Sequence, residues 1–308
     1  MKAFTLPSLA KINRFLLIHG KRNDGFHELF TEFQTISLFD EIRFEPAAEF
    51  AFVCDSVGTP NDENNLVVKA AMLLAEYANV KPSGRINLKK RIPAPGGLGG
   101  GSSNAAISLL GCAKLWGVNI APETLVSLGA KLGADSPFIF YGGNVFGTGT
   151  GTELFAAPVR KKQYLIIITP NVKISTAEAF KRLNLHPLTN TNRASILQIC
   201  ADYADALRGD ISEHKNDFEN SVFELEPTIK SCRETLLDLG AHTALLSGSG
   251  ASVFGVFDNE FVRDKAFENL VFEGAKFAAE TISVDEYREM LTPCKDLLPK
   301  DLNKFGGA

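Results

Sequence analysis

A glycine-rich segment in the first half of the chain has the composition of a phosphate-binding loop. From Pro93 to Ser103 the sequence reads Pro-Ala-Pro-Gly-Gly-Leu-Gly-Gly-Gly-Ser-Ser, and five of the six positions from Gly96 to Gly101 are glycine. Glycine lets backbone N–H groups approach an anion closely and adopts positive φ angles without strain. The alanines and leucines from Asn104 onward predict a helix, whose N-terminus adds free N–H groups and partial positive charge. We therefore predict an irregular loop that binds phosphate groups.

The loop differs from the common nucleotide-binding motifs. It contains no G-K-[ST], so it lacks the lysine that reaches the β- and γ-phosphates in a Walker loop. It also has more glycines than the G-x-G-x-x-G motif of dinucleotide-binding folds. Ser102 and Ser103 supply hydroxyls that can bond phosphate oxygens or a hydrated Mg²⁺. The positive charge that phosphates require must therefore come from elsewhere in the chain.

The elements that must position this loop follow a mixed pattern of strands and helices. Strands are expected at 11–20, 33–44, 50–54, 85–90, 164–169, 243–246, 253–257 and 276–284. Helices are expected at 66–77, 104–116, 122–132, 176–183, 194–207 and 222–239, the first capped by Asn64 or Asn65. The pattern indicates an α+β fold of two units, with a boundary between residues 156 and 163.

Composition excludes several classes of protein. The 308 residues predict about two domains, and the net charge of −4 argues against general nucleic-acid binding, which requires a cationic surface. Five widely spaced cysteines without a C-x-x-C pair argue against a disulfide framework and a cysteine-based zinc site. The sequence has neither an apolar run long enough to span a bilayer nor a recognisable secretory leader, so we expect a cytoplasmic protein with no membrane partner.

Three blocks of the sequence resemble the GHMP kinase superfamily, which includes galactokinase and the homoserine, mevalonate and phosphomevalonate kinases. These are the loop with its continuation to Ala106, Lys11-Ile-Asn13, and the segment from Leu246 to Phe254. Three features narrow the resemblance to one branch of the superfamily: the length of the loop, Asp24-Gly-Phe-His-Glu28, and the segment from Leu132 to Phe138. That branch phosphorylates a cytidine-diphosphate-linked methylerythritol in the non-mevalonate isoprenoid pathway. The resemblance covers about residues 8–284.

The resemblance implies a two-domain α+β architecture. We expect an N-terminal, ATP-binding, ribosomal-protein-S5-domain-2-like domain at 1–158 and a C-terminal ferredoxin-like α/β sandwich at 159–286. Residues 287–308 are expected to form a tail of unknown role. The active site is expected in the cleft between the two domains, a usual place for ligand sites.

The resemblance also implies transfer of the γ-phosphoryl group of ATP to the 2-hydroxyl of the substrate. Asp135 matches the aspartate that accepts the hydroxyl proton, and Lys11 matches the catalytic lysine, which would supply the missing positive charge. Two structural alternatives remain open. Asp135 precedes Ser136-Pro137 and is also placed to cap a helix, and Lys11 is also compatible with an exposed position on a strand.

The substrate-binding residues implied by the resemblance come from three parts of the chain. Asn13 shares a strand face with Lys11 and is expected to contact the sugar alcohol. Phe26 and His27 match the pair that reads cytosine, although the family usually has tyrosine where this chain has Phe26, so a bond from that hydroxyl is lost. Phe180 matches a second stacking aromatic, and Thr176 lies at a substrate-contacting position. Core packing for Phe180 and a surface turn for His27 are the alternatives.

ATP is the expected cofactor, accompanied by Mg²⁺ held mainly by the nucleotide, and no metal-ligating residues are assigned. The residues expected to bind ATP are Pro93, Ala94, Pro95, Gly96, Gly97, Leu98, Gly99, Gly100, Gly101, Ser102, Ser103, Asn65 and Lys90. The sequence does not indicate an oligomeric state. Another small-molecule kinase of the superfamily, of homoserine or mevalonate type, is the alternative function, followed by a non-catalytic nucleotide or RNA binder.

Overall fold

A computed structural model describes residues 2–56, 59–183, 195, 198, 200–202, 215–300 and 302–303. The strands are β1 Phe4–Lys21, β2 His27–Glu45, β3 Phe50–Cys54, β4 Gly84–Lys89, β5 Asn144–Gly149, β6 Glu153–Ala156, β7 Tyr164–Pro170, β8 Thr243–Leu246, β9 Val253–Phe257 and β10 Gly274–Glu280. The helices are α1 Leu66–Ala78, α2 Gly100–Trp116, α3 Pro122–Ala130, α4 Ser136–Tyr141, α5 Thr176–Arg182, α6 Glu219–Leu225, α7 Pro227–Asp238, α8 Glu260–Asn269 and α9 Val284–Met290, followed by a 3₁₀ helix at Thr292–Leu297.

The first sheet is built around the long antiparallel hairpin of β1 and β2. Its strand order is β3-β4-β2-β5-β6, with β1 paired to β2, and only the β3–β4 pair is parallel. The β1–β2 register shifts between Leu9 and Lys11 and again between Asn13 and Phe15. Bulges of this kind bend a strand and redirect its side chains, and here they flank the segment that carries Lys11 and Asn13.

Helix α2 is the central element of the core on one face of this sheet. Its middle is buried against the sheet, α1 and α4. A Cβ atom at Gly111 would lie 2.0 Å from the Phe44 ring, so glycine is needed for the helix to approach the sheet this closely. The close packing fixes the N-terminus of α2, and with it the glycine-rich loop.

The second sheet has the order β10-β7-β9-β8 and is antiparallel throughout. Its core includes Ile166, Ile168 and Leu246, against which α7 packs. A further cluster joins the two sheets: Ile12 and Ile36 of the first sheet are buried with residues of β7 and β9. The second unit therefore packs directly on the first sheet, beside the segment of β1 that carries Lys11.

Two of the expected helices differ in extent from the sequence expectation. Helix α2 begins at Gly100, so the last four residues of the predicted irregular loop form the first helical turn. The predicted helix at 222–239 is two helices, because Pro227 cannot continue the hydrogen bonding of α6 and begins α7 instead. The helix expected at 194–207 lies largely outside the described residues.

Two further segments contain structure that composition does not reveal. The glycine-rich stretch 142–151 contains β5. Residues beyond 286, expected to form a tail, continue as a helix and a 3₁₀ turn against the first core, where Leu291 and Cys294 are fully buried. Among the described residues, no helix is both long and apolar enough to cross a membrane.

Candidate active site

The predicted residues meet in a cavity of about 1370 Å³ between the two sheets. The cavity is lined from one side by β1, the glycine-rich loop and the residues before α4, and from the other by α5 and the β8–β9 turn. The predicted site residues that line it are Lys11, Asn13, Phe26, His27, Pro93 to Ser102, Asp135, Thr176 and Phe180.

The glycine-rich loop follows a path that side chains would obstruct. Gly97 and Gly99 have φ angles of +71° and +68°, in the left-handed region that favours glycine. A Cβ atom at Gly99 would lie 2.8 Å from the Cγ atom of Lys11, so the missing side chain leaves room for the lysine stem. The loop then enters α2 at Gly100, and the free N–H groups of this first turn provide a site for anions.

The β8–β9 turn from Ser247 to Ser252 holds the loop from the second unit. The Ser247 Oγ atom donates a hydrogen bond to the Gly97 carbonyl at 3.0 Å, and the Ser252 N–H group donates to the Gly96 carbonyl at 3.1 Å. A Cβ atom at Gly97 would lie only 1.9 Å from the Ser247 carbonyl oxygen. The loop and the turn are therefore in backbone contact.

Lys11 and Asp135 form an ion pair beside the loop. The Lys11 Nζ atom lies 3.3 Å from Asp135 Oδ2 and donates to Asn13 Oδ1 at 2.7 Å and to the Gly97 carbonyl at 3.0 Å. The lysine side chain is 4% exposed, whereas the aspartate side chain is 29% exposed. Because buried charge is unfavourable without partners, these contacts hold the ammonium at the edge of the loop and leave the carboxylate open to the cavity.

Asp135 does occupy the N-cap position of α4, but not as a typical cap. Its backbone is already helical, and in the described structure its side chain makes no capping hydrogen bond. Pro137 in the first turn and the buried Phe138 stabilise the start of α4 instead. The carboxylate is therefore directed to Lys11 rather than used to cap the helix.

Asn13 is fixed by partners on both sides of its amide. Its Oδ1 atom accepts from Lys11, and its Nδ2 atom donates to the Thr31 hydroxyl at 2.8 Å. That hydroxyl in turn donates to the Phe15 carbonyl at 2.6 Å. This chain of hydrogen bonds sets the orientation of the amide, and Asn13 and Thr31 both line the cavity.

An aromatic cluster occupies the other end of the cavity. The rings of His27 and Phe180 are stacked, with centroids 4.1 Å apart and planes 9° from parallel, and Phe218 meets Phe180 edge-on. Phe26 is 63% exposed at the cavity rim. Burial, assisted by the positive charge of Lys21, lowers the pKa of His27, so near neutral pH its ring has one N–H donor and one acceptor nitrogen.

Thr176 connects α5 to the β8–β9 turn. Its hydroxyl lies 2.8 Å from the Ser249 Oγ atom, and both residues line the cavity. Helix α5 also carries Phe180. The turn that holds the glycine-rich loop is thus linked by this hydrogen bond to the helix that carries the stacking ring.

Asn65, Lys90 and Ser103 lie outside the set of described residues that line the cavity. Asn65 caps α1, because its side chain accepts a hydrogen bond from the Val67 N–H group. The Lys90 Nζ atom is bound to Asp40 Oδ2 at 2.8 Å, and the fully buried Ser103 hydroxyl accepts from Ser8. In this structure the polar groups of these three residues form the hydrogen bonds given above with elements next to the loop.

Some residues that line the cavity were not singled out by the sequence analysis. Lys21, Arg22 and Lys181 place positive charge near the aromatic cluster, and Arg22 also pairs with Asp24 and the buried Glu28. The turn at 150–152 forms a further part of the wall. Lys21 and Arg22 are close in sequence to the Phe26–His27 block, and Lys181 follows Phe180; these positions are the only signal that could have identified them.

The described part of the chain contains no group of three or more His, Cys, Asp or Glu side chains arranged to hold a metal ion. Asp135 and Ser102 nevertheless line the same cavity as the loop.

Comparison with known proteins places this architecture in a family. Residues 65–143 match the GHMP kinases N terminal domain, and residues 202–276 match the GHMP kinases C terminal domain. The 4-diphosphocytidyl-2-C-methyl-D-erythritol kinase of Pelodictyon phaeoclathratiforme is 35% identical over 295 residues, which cover 95% of this chain and 98% of that protein. The enzyme of the same name from Solibacter usitatus is 38% identical over 92% of this chain and 90% of its own length.

Solved structures show the same relationship. A crystal structure of 4-(cytidine 5'-diphospho)-2C-methyl-D-erythritol kinase superposes with a TM-score of 0.74 at 31% identity, covering 90% of this chain and 99% of that one. Homoserine kinase from Cytophaga hutchinsonii, at 17% identity and a TM-score of 0.68 over 92% of this chain and 98% of its own, shares the fold alone.

The expected α+β fold of the GHMP kinases is thus confirmed, while the domain boundaries at 158 and 286 stay predictions. The first sheet ends at Ala156 and the second begins at Tyr164. With relatives of one name aligned over nearly its whole length, the chain belongs to the 4-diphosphocytidyl-2-C-methyl-D-erythritol kinase family of the GHMP kinases.

Proposed function

We propose that this protein transfers the γ-phosphoryl group of ATP to the 2-hydroxyl of 4-diphosphocytidyl-2-C-methyl-D-erythritol. The observation that carries the proposal is the Lys11–Asp135 pair, held at 3.3 Å beside the glycine-rich loop and in one cavity with the aromatic cluster. A phosphate site, a positive charge, a carboxylate and a site for a planar base are the parts that this reaction requires.

The loop and α2 bind the triphosphate. The N–H groups of the first turn of α2 and the glycine backbone offer donors without obstructing side chains, and the helix end adds partial positive charge. Lys11 supplies the full positive charge that the loop itself lacks. Because the Lys11 Nζ atom also bonds the Gly97 carbonyl, it stays beside the loop and close to the terminal phosphate.

Asp135 and Lys11 then serve the transfer itself. The oxygen of the 2-hydroxyl forms a bond to the γ-phosphorus, the bond from that phosphorus to the β–γ bridging oxygen breaks, and ADP leaves. The hydroxyl proton passes to the Asp135 carboxylate. Lys11 stabilises the charge on the transferring group, and such reactions depend mainly on positioning and on charge neutralisation of this kind.

The oxygen donors in the cavity fit a Mg²⁺ ion carried mainly by the nucleotide. Magnesium binds oxygen ligands and is usually held by one or two carboxylates together with substrate phosphates. Asp135 and the Ser102 hydroxyl are the cavity-lining groups that would hold it. When bound, the ion neutralises charge on the β- and γ-phosphate oxygens.

The cytidine end of the substrate is assigned to Phe26, His27 and Phe180. Stacked at 4.1 Å, the rings of His27 and Phe180 leave no space for a base between them. A base therefore enters when one ring swings aside, or it stacks on the exposed face of Phe26. Lys21 and Lys181 line this end and supply positive charge for the substrate diphosphate.

The setting proposed for this reaction is the cytoplasm. All five cysteines are free and buried, which fits a reducing compartment.

The test is a substrate panel with one matched variant. Purified protein, ATP and Mg²⁺ are supplied with the cytidine substrate, homoserine or mevalonate, and ADP release is measured. We expect turnover with the cytidine substrate, and we expect Asp135→Asn to reduce kcat by about 10²–10⁴-fold with ATP affinity retained. Near-normal turnover by Asp135→Asn would refute the role of the carboxylate, and preference for homoserine or mevalonate would refute the substrate.

A further inference from the structure

The segment at 281–298, called here the C-terminal strap, leaves the second sheet and returns to the first domain. It consists of the residues after β10, helix α9 and the 3₁₀ helix. Leu291 and Cys294 are fully buried in the first core, and the Cys294 Sγ atom contacts the Leu110 carbonyl of α2. The strap is therefore part of the first domain, although it follows the second domain in sequence.

The start of the strap is tied to the corner between α4 and β5. The Ile282 N–H group donates to the Thr35 carbonyl at 2.9 Å, and the Thr35 N–H group donates to the Gly143 carbonyl at 2.8 Å. The Gln34 side chain bridges the two segments, with hydrogen bonds of 3.0 Å to the Ile282 carbonyl and 3.3 Å to the Gly143 carbonyl. Strand β2 thus holds the strap and the corner in a fixed relation.

Tyr287 lies directly on this corner. A Cβ atom at Gly142 would lie 2.2 Å from the Tyr287 ring, and one at Gly143 would lie 2.3 Å from the Val284 side chain. The φ angles of Gly142 and Gly143 are +65° and +67°, in the left-handed region that favours glycine. The corner therefore has the backbone conformation and the bare surface that allow the tyrosine ring to pack against it.

The Tyr287 hydroxyl donates a hydrogen bond to the Ile139 carbonyl, near the C-terminal end of α4. Carbonyl groups in the last turn of a helix lack hydrogen-bond partners within the helix, and the Tyr287 hydroxyl provides a partner for one of them. The side chain is 1% exposed, and burial raises the pKa of its phenol, which keeps the hydroxyl protonated as a donor. With six residues, α4 is too short to be stable on its own and depends on such contacts for its position.

Helix α4 begins immediately after Asp135, so a shift of the helix along its axis moves the carboxylate relative to Lys11. We propose that Tyr287 is a positioning residue for the reaction: through the Ile139 carbonyl it sets the axial position of α4, and thereby the place of Asp135 beside Lys11 and the glycine-rich loop. This inference rests on the function proposed above. It assigns a role in the active site to the strap, no residue of which lines the cavity.

The experiment compares Tyr287→Phe, which removes the hydroxyl and keeps the ring, with the unchanged protein. We expect kcat to fall roughly tenfold, since small displacements of a reacting group have effects of this order or larger. KM for ATP should change less than about twofold, because the β8–β9 turn also holds the loop through the Gly96 and Gly97 carbonyls. Tyr287→Leu, which also removes the ring, should lower kcat further.

Two controls separate positioning from general stability. Cys294→Ala removes a buried strap side chain that contacts α2, and we expect it to lower the unfolding midpoint without lowering kcat. In the Asp135→Asn background, Tyr287→Phe should have no further effect on the residual rate, because residues that act through one another are not additive.

Several results would overturn the inference. They are an unchanged kcat in Tyr287→Phe, an equal fall in Cys294→Ala, or a tenfold effect that persists without Asp135. A crystal structure of Tyr287→Phe supplies a readout that needs no substrate, with the distance from Lys11 Nζ to Asp135 Oδ2 expected to exceed about 4 Å. Inactivity of the unchanged protein toward the cytidine substrate would contradict the proposed function instead, and this distance would still decide the role of Tyr287.

Discussion

Replacing Gly97 by alanine should disrupt nucleotide binding far more than the same change at Gly101, near the end of the loop. At Gly97 the new Cβ atom would lie 1.9 Å from the Ser247 carbonyl oxygen, which is backbone and cannot rotate away. The φ angle of +71° is also unfavourable for alanine. The loop must therefore separate from the β8–β9 turn or adopt another backbone conformation.

The size of the effect follows from what is lost. A left-handed conformation costs an alanine about 1–2 kcal/mol. The Gly97 carbonyl accepts two hydrogen bonds, from Ser247 and Lys11, both at 3.0 Å, and each contributes about 1 kcal/mol. If the binding-competent loop becomes about 3 kcal/mol less favourable, the apparent ATP affinity falls by about two orders of magnitude.

Calorimetric titration with a non-hydrolysable ATP analogue measures this loss directly, and Gly101→Ala is the matched control. At Gly101 the nearest atom to a new Cβ is the Leu66 Cδ1 atom at 3.2 Å, the end of a flexible side chain, and the residue lies in the first turn of α2. Alanine is the better helix former by roughly 0.5–1 kcal/mol, so we expect affinity within a few-fold of the unchanged protein. Equal affinities in the two variants would refute this account of the loop.

Two other changes test the surroundings of the site. Asp40 is fully buried and accepts hydrogen bonds from Lys90 and from the N–H groups of Arg91 and Ile92. Asp40→Asn should therefore lower the free energy of unfolding by about 3–5 kcal/mol in denaturant titrations, whereas Glu41→Gln, in an exposed ion pair on β2, should lower it by less than about 0.5 kcal/mol. Similar losses in the two variants would contradict a structural role for the Asp40 carboxylate. Burial lowers the pKa of both His19 and His27 from the ordinary value of 6.5. The unfolded chain therefore binds protons more readily than the folded protein. The stability that the two neutral histidines contribute is fully present above pH 6.5 and is lost as the pH falls below that value. The double variant His19→Asn/His27→Asn should therefore show a smaller fall in unfolding midpoint between about pH 7.5 and about pH 5.5, and an unchanged slope would count against the two histidines.

The parts of the structure that the sequence predicted best are those determined by local residue patterns. The Asn65 cap and the apolar spacing of α1 defined that helix to within one residue at its C-terminal end. The five glycines indicated a phosphate-binding loop by composition alone, whereas Lys11 and Asn13 were assigned through the resemblance to the GHMP kinases. Periodicity did not separate α6 from α7, since the residues on both sides of Pro227 are helical.

What the sequence could not predict depends on contacts between distant residues. The role of Lys90 in ATP binding stays a prediction, and its ion pair with the buried carboxylate of Asp40, fifty positions earlier, is a contact that no local pattern contains. The stacking of His27 on Phe180 joins residues from the two units, and neither local pattern contains it. The strap looked like an appendage because the partners of its buried residues, in β2, α2 and α4, lie more than a hundred positions earlier in the sequence.

The contacts from Ser247 and Ser252 to Gly97 and Gly96 also bear on how the protein is made. About 150 residues separate the two segments, as in the bond from Ser247 Oγ to the Gly97 carbonyl. Domains generally fold from the N-terminus as the ribosome releases them. The glycine-rich loop thus leaves the ribosome well before the β8–β9 turn that braces it, and before the strap at 281–298 that completes the first core. A nascent chain acquires a finished ATP site only when the β8–β9 turn has emerged, so a chain arrested before that point lacks both the brace of the loop and part of the first core.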